Sequence, residues 1–287
     1  MSVNWRLLGL CAIGLCVVSL AAASQPLLQG FLLQLAGRPV DASAGVLAEH
    51  ELQLIEQMPP QQQAERLMER AIGRYQGALE QIEARLPGWE NKLEYSGNLT
   101  SLINTGYDSS DLRIRTASLQ LTLTSQKIVR DVRTADDLME KIKAEPDGRP
   151  WRIWTLGLLA NRGVAVENTR RFLLEFIKDP NEDTRRWAVN SLAMLGTDDI
   201  VEPLLEVFAT DASMEVRERA ACSLADSGML SFDQRKKSIP GFLRVLDDPT
   251  QNATVHSWVV HALEEISGEH FSANSPAWHN WLARQNF

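Results

Sequence analysis

Cysteine is nearly missing from this 287-residue chain. Cys11 and Cys16 lie near the start and Cys222 stands alone in the rest, so no internal disulfide can staple the body. Stability must come from packing, and with 44% hydrophobic and 23% charged residues the composition suits a globular fold rather than a disordered tail. Positive charge is also short: 29 Lys and Arg face 37 Asp and Glu, a formal net charge of −8. Such a molecule repels phosphate backbones and anionic lipid heads, which disfavours general nucleic-acid binding. The sequence has no G-x-x-x-x-G-K-[ST] loop, G-x-G-x-x-G run, G-x-S-x-G elbow or C-x-x-C pair.

Histidine is scarce as well, with His50, His256, His261, His270 and His279 making up the five. His261 and Glu265 stand one helical turn apart, but His256 lies about 140° around the helix from His261, which spoils a shared metal site. Cys222 falls beside Ala220 and Ala221, where a small buried apolar group is expected and no activating base is identifiable. These patterns give no catalytic, cofactor-binding or metal-ligating set.

What is present begins with an address. Arg6 is the one charge in residues 1–23, and an apolar stretch from Leu7 to Leu20 leads to Ala21-Ala22-Ala23. This is the layout of a secretory signal with an A-x-A cleavage site. The rival reading is an uncleaved anchor, since Leu7–Ala23 as a helix spans about 26 Å. A third reading is a buried first helix of a cytoplasmic protein; under the first two the expected location is extracytoplasmic, in a bacterial periplasm or cell envelope, with the anchor attaching the chain to the membrane through residues 7–23. Residues 24–58 read as a tether followed by a short helix near Ala44–Met58.

Between Pro59-Pro60 and Pro87-Gly88, Met68, Ile72, Tyr75, Leu79, Ile82 and Leu86 recur at spacings of 4-3-4-3-4. The spacing predicts one amphipathic helix of about 26 residues, roughly 40 Å long, within an N-terminal helical region 59–107. That stripe would pack on the next domain's edge or pair with another helix.

From residue 151 onward the chain repeats itself. Arg152, Arg185, Arg217 and His256 align; so do Thr155, Ala188, Ala220 and Val259, and then Leu159, Leu192, Leu224 and Leu263. Gly163, Gly196, Gly228 and Gly268 follow, each suited to the left-handed residue that ends a helix. The leucine steps of 33, 32 and 39 residues mark a solenoid of helix pairs, with the longer unit carrying an insertion at Met229–Lys237, expected as an edge loop. A degenerate unit is expected to start at Asp111-Leu112-Arg113, with Ile128–Ile142 as its second helix. Ser275-Pro276 would open a terminal cap containing Trp278 and Trp281.

The runs Val216-Arg217-Glu218-Arg219-Ala220-Ala221-Cys222-Ser223-Leu224 and Thr184-Arg185-Arg186-Trp187-Ala188-Val189-Asn190-Ser191-Leu192 resemble the first helix of a HEAT repeat, over residues 108–270. The period is similar to the shorter HEAT-like repeats of bacterial proteins. The resemblance implies an all-α, right-handed α-solenoid of stacked HEAT-like helix pairs, preceded by the N-terminal helical segment and closed by a capping helix in 271–287. It further implies a non-catalytic protein-interaction scaffold that needs no cofactor. Its partners would be proteins and not nucleic acid, and its working face would be the second helices, Val166–Lys178, Ile200–Phe208 and Ile239–Leu246, with the heptad helix. The alternatives are HEAT-like enzymes of the lyase type and nucleic-acid-binding HEAT-like proteins. HEAT-like hydroxylases use repeated His-Glu dipeptides, whereas this chain has only His50-Glu51. Trp154, Trp187 and Trp258 share one repeat column whose fourth member is Arg219; together with Tyr75 and Leu79 of the heptad stripe they are the candidate partner-binding residues.

Overall fold

The computed structural model describes residues 45–95 and 97–285, so the apolar leader and most of the tether lie outside the described residues. No helix among the described residues is long and apolar enough to cross a membrane. A two-residue parallel pairing joins β1 (Gly45–Val46) to β2 (Tyr75–Gln76). Around it lie the helices of an N-terminal bundle: α1 (Glu49–Glu56), α2 (Pro60–Ile72), α3 (Ala78–Trp89), α4 (Gly97–Tyr107) and α5 (Leu112–Ser125).

The single helix expected across the heptad stripe is therefore two, α2 and α3. Gly73 closes α2, Arg74 turns with φ 59°, and Gly77 opens α3 with φ 91°. Left-handed residues cannot continue a helix, and the freed backbone instead meets β1, with the Leu47 amide donating to the Gln76 carbonyl at 3.0 Å. The apolar spacing survives the break because Met68, Ile82 and Leu86 all enter one small core with Leu99 and Ile103.

From α5 onward the chain alternates between two layers. The first helices are α5, α7 (Arg149–Asn161), α9 (Glu182–Leu195), α11 (Met214–Cys222) and α14 (Ala253–Ser267). The second helices are α6 (Val132–Ala144), α8 (Val166–Phe176), α10 (Val201–Thr210), α13 (Ile239–Asp247) and α15 (Ser275–Leu282), with a short extra helix α12 (Phe232–Lys236). Asp111, Asn181, Ser213 and Asn252 cap their first helices by accepting a first-turn amide hydrogen. Four residues inside each cap stands the arginine column. Arg152 donates to the Asp147 carbonyl at 2.6 Å, Arg185 to Asp179 at 3.0 Å and Arg217 to Phe208 at 2.6 Å, while His256 meets the Asp248 carbonyl at 3.3 Å. These carbonyls lie at or just beyond the end of the preceding second helix, where helical partners run out and the helix dipole favours a cation. Arg185 also forks onto the Asp211 carboxylate at 2.8 and 2.9 Å, and Arg217 reaches Gln251, tying each unit to the next.

Gly163, Gly196 and Gly268 take the expected left-handed conformation, with φ of 84°, 68° and 73°. Gly228 does not: its φ is −81°. There α11 runs into a π-turn, Ser223–Ser227, and a Cβ at Gly228 would stand 2.6 Å from the Ser223 carbonyl oxygen and 3.1 Å from Ala193 Cβ. Close approach, not chirality, requires glycine here. The insertion expected as a loop instead contains α12, opened by a reciprocal capping box between Ser231 and Gln234. It is clipped to α9, the Met229 amide donating to the Ala193 carbonyl and the Gln234 amide to that of Gly196, both at 2.9 Å.

Two apolar cores result, one in the bundle and a larger one along the solenoid. Helix α5 belongs to both, giving Ile114, Ala117 and Leu121 to the first and Leu119 and Leu123 to the second. At the far end α15 covers the last unit with buried Trp278 and Trp281; Trp278 packs edge-on to Phe271 at 4.9 Å and donates to the Ser272 carbonyl at 2.8 Å.

Candidate functional site: the tryptophan row

Six residues inside the cap, the first helices carry Ala117, Trp154, Trp187, Arg219 and Trp258 in one column. Trp154 and Trp187 meet edge to face with centroids 6.3 Å apart, and Tyr107, at the end of α4, meets Trp154 at 5.6 Å. The Tyr107 hydroxyl is hydrogen-bonded to the Thr122 hydroxyl at 3.0 Å. Arg186 lays its guanidinium 6.0 Å from the Trp187 ring centroid. All three tryptophans are half-buried against the solenoid core. None donates its indole N–H to a partner among the described residues, whereas buried Trp89 donates to Gln63 at 3.1 Å and Trp278 to Ser272. An apolar ring with an unspent donor at the surface is the usual make-up of an interface anchor.

The start of the row is covered by the chain itself. Arg115 occupies the arginine column of α5 and, as Arg185 does with Asp179, donates to a carbonyl six residues back, that of Ser109 just beyond α4, but it also reaches the distant Gly228 carbonyl at 2.6 Å. It is only 3% exposed, and burial with the nearby Arg235 pulls its guanidinium down to about 10, still a cation at neutral pH. The α4–α5 corner thus places Tyr107 on Trp154 and Arg115 at the end of the π-turn. The sequence reading missed both residues, although counting four from the Asp111 cap would have put Arg115 in its column.

The far end is open. Trp258 has no aromatic ring or cation against it among the described residues, and His261 and Glu265 follow it, exposed, on α14. Glu215 and Glu218 are exposed on the neighbouring α11, with no ion-pair partner among the described residues. Arg219 is half-buried and also makes no ion pair there. Burial pushes the Cys222 thiol up, Asp226 and Glu218 add to this, and Arg219 only partly opposes it, so the group remains a neutral thiol.

Tyr75 and Leu79 do not join this row. Tyr75 lies in β2 with the Arg70 guanidinium 4.6 Å from its ring centroid, and Leu79 lines a cavity of about 200 Å³ with Ile82, Leu86, Arg113, Gln120 and Arg162. The second-helix face offers less. Some of its charges pair with one another, Arg170 with Glu167 at 2.7 Å and Asp199 at 2.9 Å, and Arg244 with Glu202 at 3.1 Å, while Glu175 and Glu206 are exposed without an ion pair among the described residues, and no exposed large apolar side chain lies on α8, α10 or α13.

Residues 135–225, from within α6 to the π-turn, match the family model of HEAT repeats. A comparison with curated proteins found no match. HEAT repeats are generally modules of protein interaction. The matched residues coincide with the helix pairs tied by Arg152, Arg185 and Arg217, so this stretch is similar to HEAT repeats, within a chain whose described residues form an all-α helical repeat solenoid.

Proposed function

We propose that this protein is a non-catalytic scaffold outside the cytoplasm that holds a partner protein on its first-helix layer. The observation that carries the reading is the row of half-buried tryptophans with unspent indole donors, running across neighbouring repeat units. Stacked helix pairs offer a long, shallow surface, which fits a polypeptide better than a small substrate. The address rests on the apolar leader and its Ala21-Ala22-Ala23 end. The first-helix layer is favoured over the second because it carries the tryptophans, whereas α8, α10 and α13 present no exposed large apolar side chain.

Crosslinking in native cells with C-terminally tagged full-length protein, followed by mass spectrometry, tests both parts. The expected result is stoichiometric recovery of an envelope protein, lost in Trp187→Ala and Trp258→Ala. Recovery of cytosolic proteins alone would overturn the address. Turnover that depends on one His, Glu or Cys would overturn the scaffold.

A further inference from the structure

A cavity lies on the seam between the bundle and the solenoid. Its apolar walls are Leu79, Ile82 and Leu86 of α3 with Ala117 of α5, and Arg162, at the end of α7, also lines it. At about 200 Å³ it is small. An apolar cavity of about 150 Å³ holds benzene, so this one admits a single aliphatic or aromatic side chain and little more.

The polar groups along it narrow what carries that side chain. Gln120 of α5 lines the cavity, and its buried Oε1 has no hydrogen-bond partner among the described residues. A buried amide oxygen left without a donor costs stability and calls for a partner. Thr116, also on the lining, cannot serve it, because its hydroxyl donates to the Leu112 carbonyl at 2.8 Å. The Arg162 guanidinium likewise makes no hydrogen bond or ion pair among the described residues, and it repels Arg130. Net charge does not choose the occupant. Arg113 pairs with Glu80, Glu90 attracts Arg130, and Glu83 stands exposed on the lining. With cations and carboxylates in balance, neither a free anion nor a free cation is selected. What fits is a neutral group with a donor and an acceptor beside an apolar side chain, which is the make-up of one residue in a polypeptide chain.

We propose that this cavity takes one leucine-sized side chain of an extended segment of the partner protein. The segment's backbone amide donates to Gln120 Oε1, and a neighbouring carbonyl accepts from Arg162. This rests on the scaffold reading and adds a second contact to it, adjoining Ala117 at the head of the tryptophan column.

The test titrates full-length protein, with ¹³C-labelled isoleucine and leucine methyl groups, with N-acetyl-leucine N-methylamide. Affinity should be millimolar, since one side chain and two hydrogen bonds are all that hold the probe. Saturable shifts are expected at the Leu79, Ile82 and Leu86 methyls and not at Leu54, which is exposed on α1. N-acetyl-alanine N-methylamide should bind about fivefold or more weakly, because it buries less apolar surface. Leu79→Ala and Arg162→Ala should each weaken the leucine probe severalfold. Gln120→Met keeps the side-chain length but removes the acceptor, so it should also weaken binding severalfold while leaving the urea midpoint level or raised. That combination separates a lost contact from a lost fold. Shifts at Leu54 equal to those in the cavity, equal affinity for the two probes, or unchanged affinity in both Leu79→Ala and Gln120→Met would overturn the site. If the probe failed while crosslinking still lost its envelope partner in Trp187→Ala, the scaffold would stand and only this contact would fall.

Discussion

Gly157 sits in the middle of α7, where alanine is ordinarily the better helix former. A methyl group there would stand 2.8 Å from the Ser191 carbonyl oxygen and 2.9 Å from its Cβ, because α7 and α9 approach backbone to backbone. Gly157→Ala should therefore destabilise the protein by about 2 kcal/mol, while Gly88→Ala, which meets nothing within 4 Å, should be neutral or gain a few tenths. Urea midpoints measure both. Spacing along one helix does not say which neighbouring backbone approaches it, so this contact was not legible in the sequence, although the arginine column was. That column makes a second prediction. Burial pushes the Asp211 carboxyl up, but hydrogen bonds from Arg185 and the Ser213 amide, with the charges of Arg185 and Arg217, outweigh it and hold the group below its ordinary 3.8. Asp248, hydrogen-bonded by Gln251 and Thr250, lies at about 2. Lowered carboxylates stabilise the fold fully above their unfolded values, and the gain is lost as pH falls through the folded ones. The urea midpoint should thus be flat above about pH 5 and fall progressively below pH 4, less steeply in Asp211→Asn.

At the scale of the element, the break between α2 and α3 shows how a correct pattern can mislead. Met68, Ile82 and Leu86 do share a core, so the stripe was read correctly as one buried face, but apolar phase is kept across a tight turn as easily as through a helix. The signal against a single helix was Gly73 and Gly77 within one turn of each other. Gly77→Ala tests the reading. Its Cβ would meet only Leu47 Cβ at 3.9 Å, so its cost is the left-handed backbone alone, about 1–2 kcal/mol. Had the segment been one continuous helix, the same change would have stabilised it by roughly 1 kcal/mol, so the sign of the shift in urea midpoint decides. The π-turn was hidden for a related reason: Gly228 keeps its place four residues after Leu224 whether the helix ends left-handed or bulges.

At the scale of the molecule, the bundle and the solenoid have separate cores, and α5 is the element that belongs to both. Repeat arrays gain cooperativity only through the contacts between neighbours, so a second point of contact far along the array changes how the whole chain unfolds. Arg115 makes that contact, reaching from the first unit to the Gly228 carbonyl 113 residues on, and Tyr107 packs against both cores beside it. Nothing in the local pattern announces such a link, since it depends on how far the solenoid brings its units together. Wild-type protein should therefore unfold in one calorimetric transition. Arg115→Met removes the buried charge along with its hydrogen bonds, and the Gly228 carbonyl loses its donor, which together should cost about 1–3 kcal/mol. Combined with Tyr107→Ala it should split the endotherm into a bundle step and a solenoid step, the solenoid step followed separately by the fluorescence of Trp154 and Trp187. A single transition shifted to lower temperature would mean instead that α5 alone couples the halves, through the apolar residues it gives to each core.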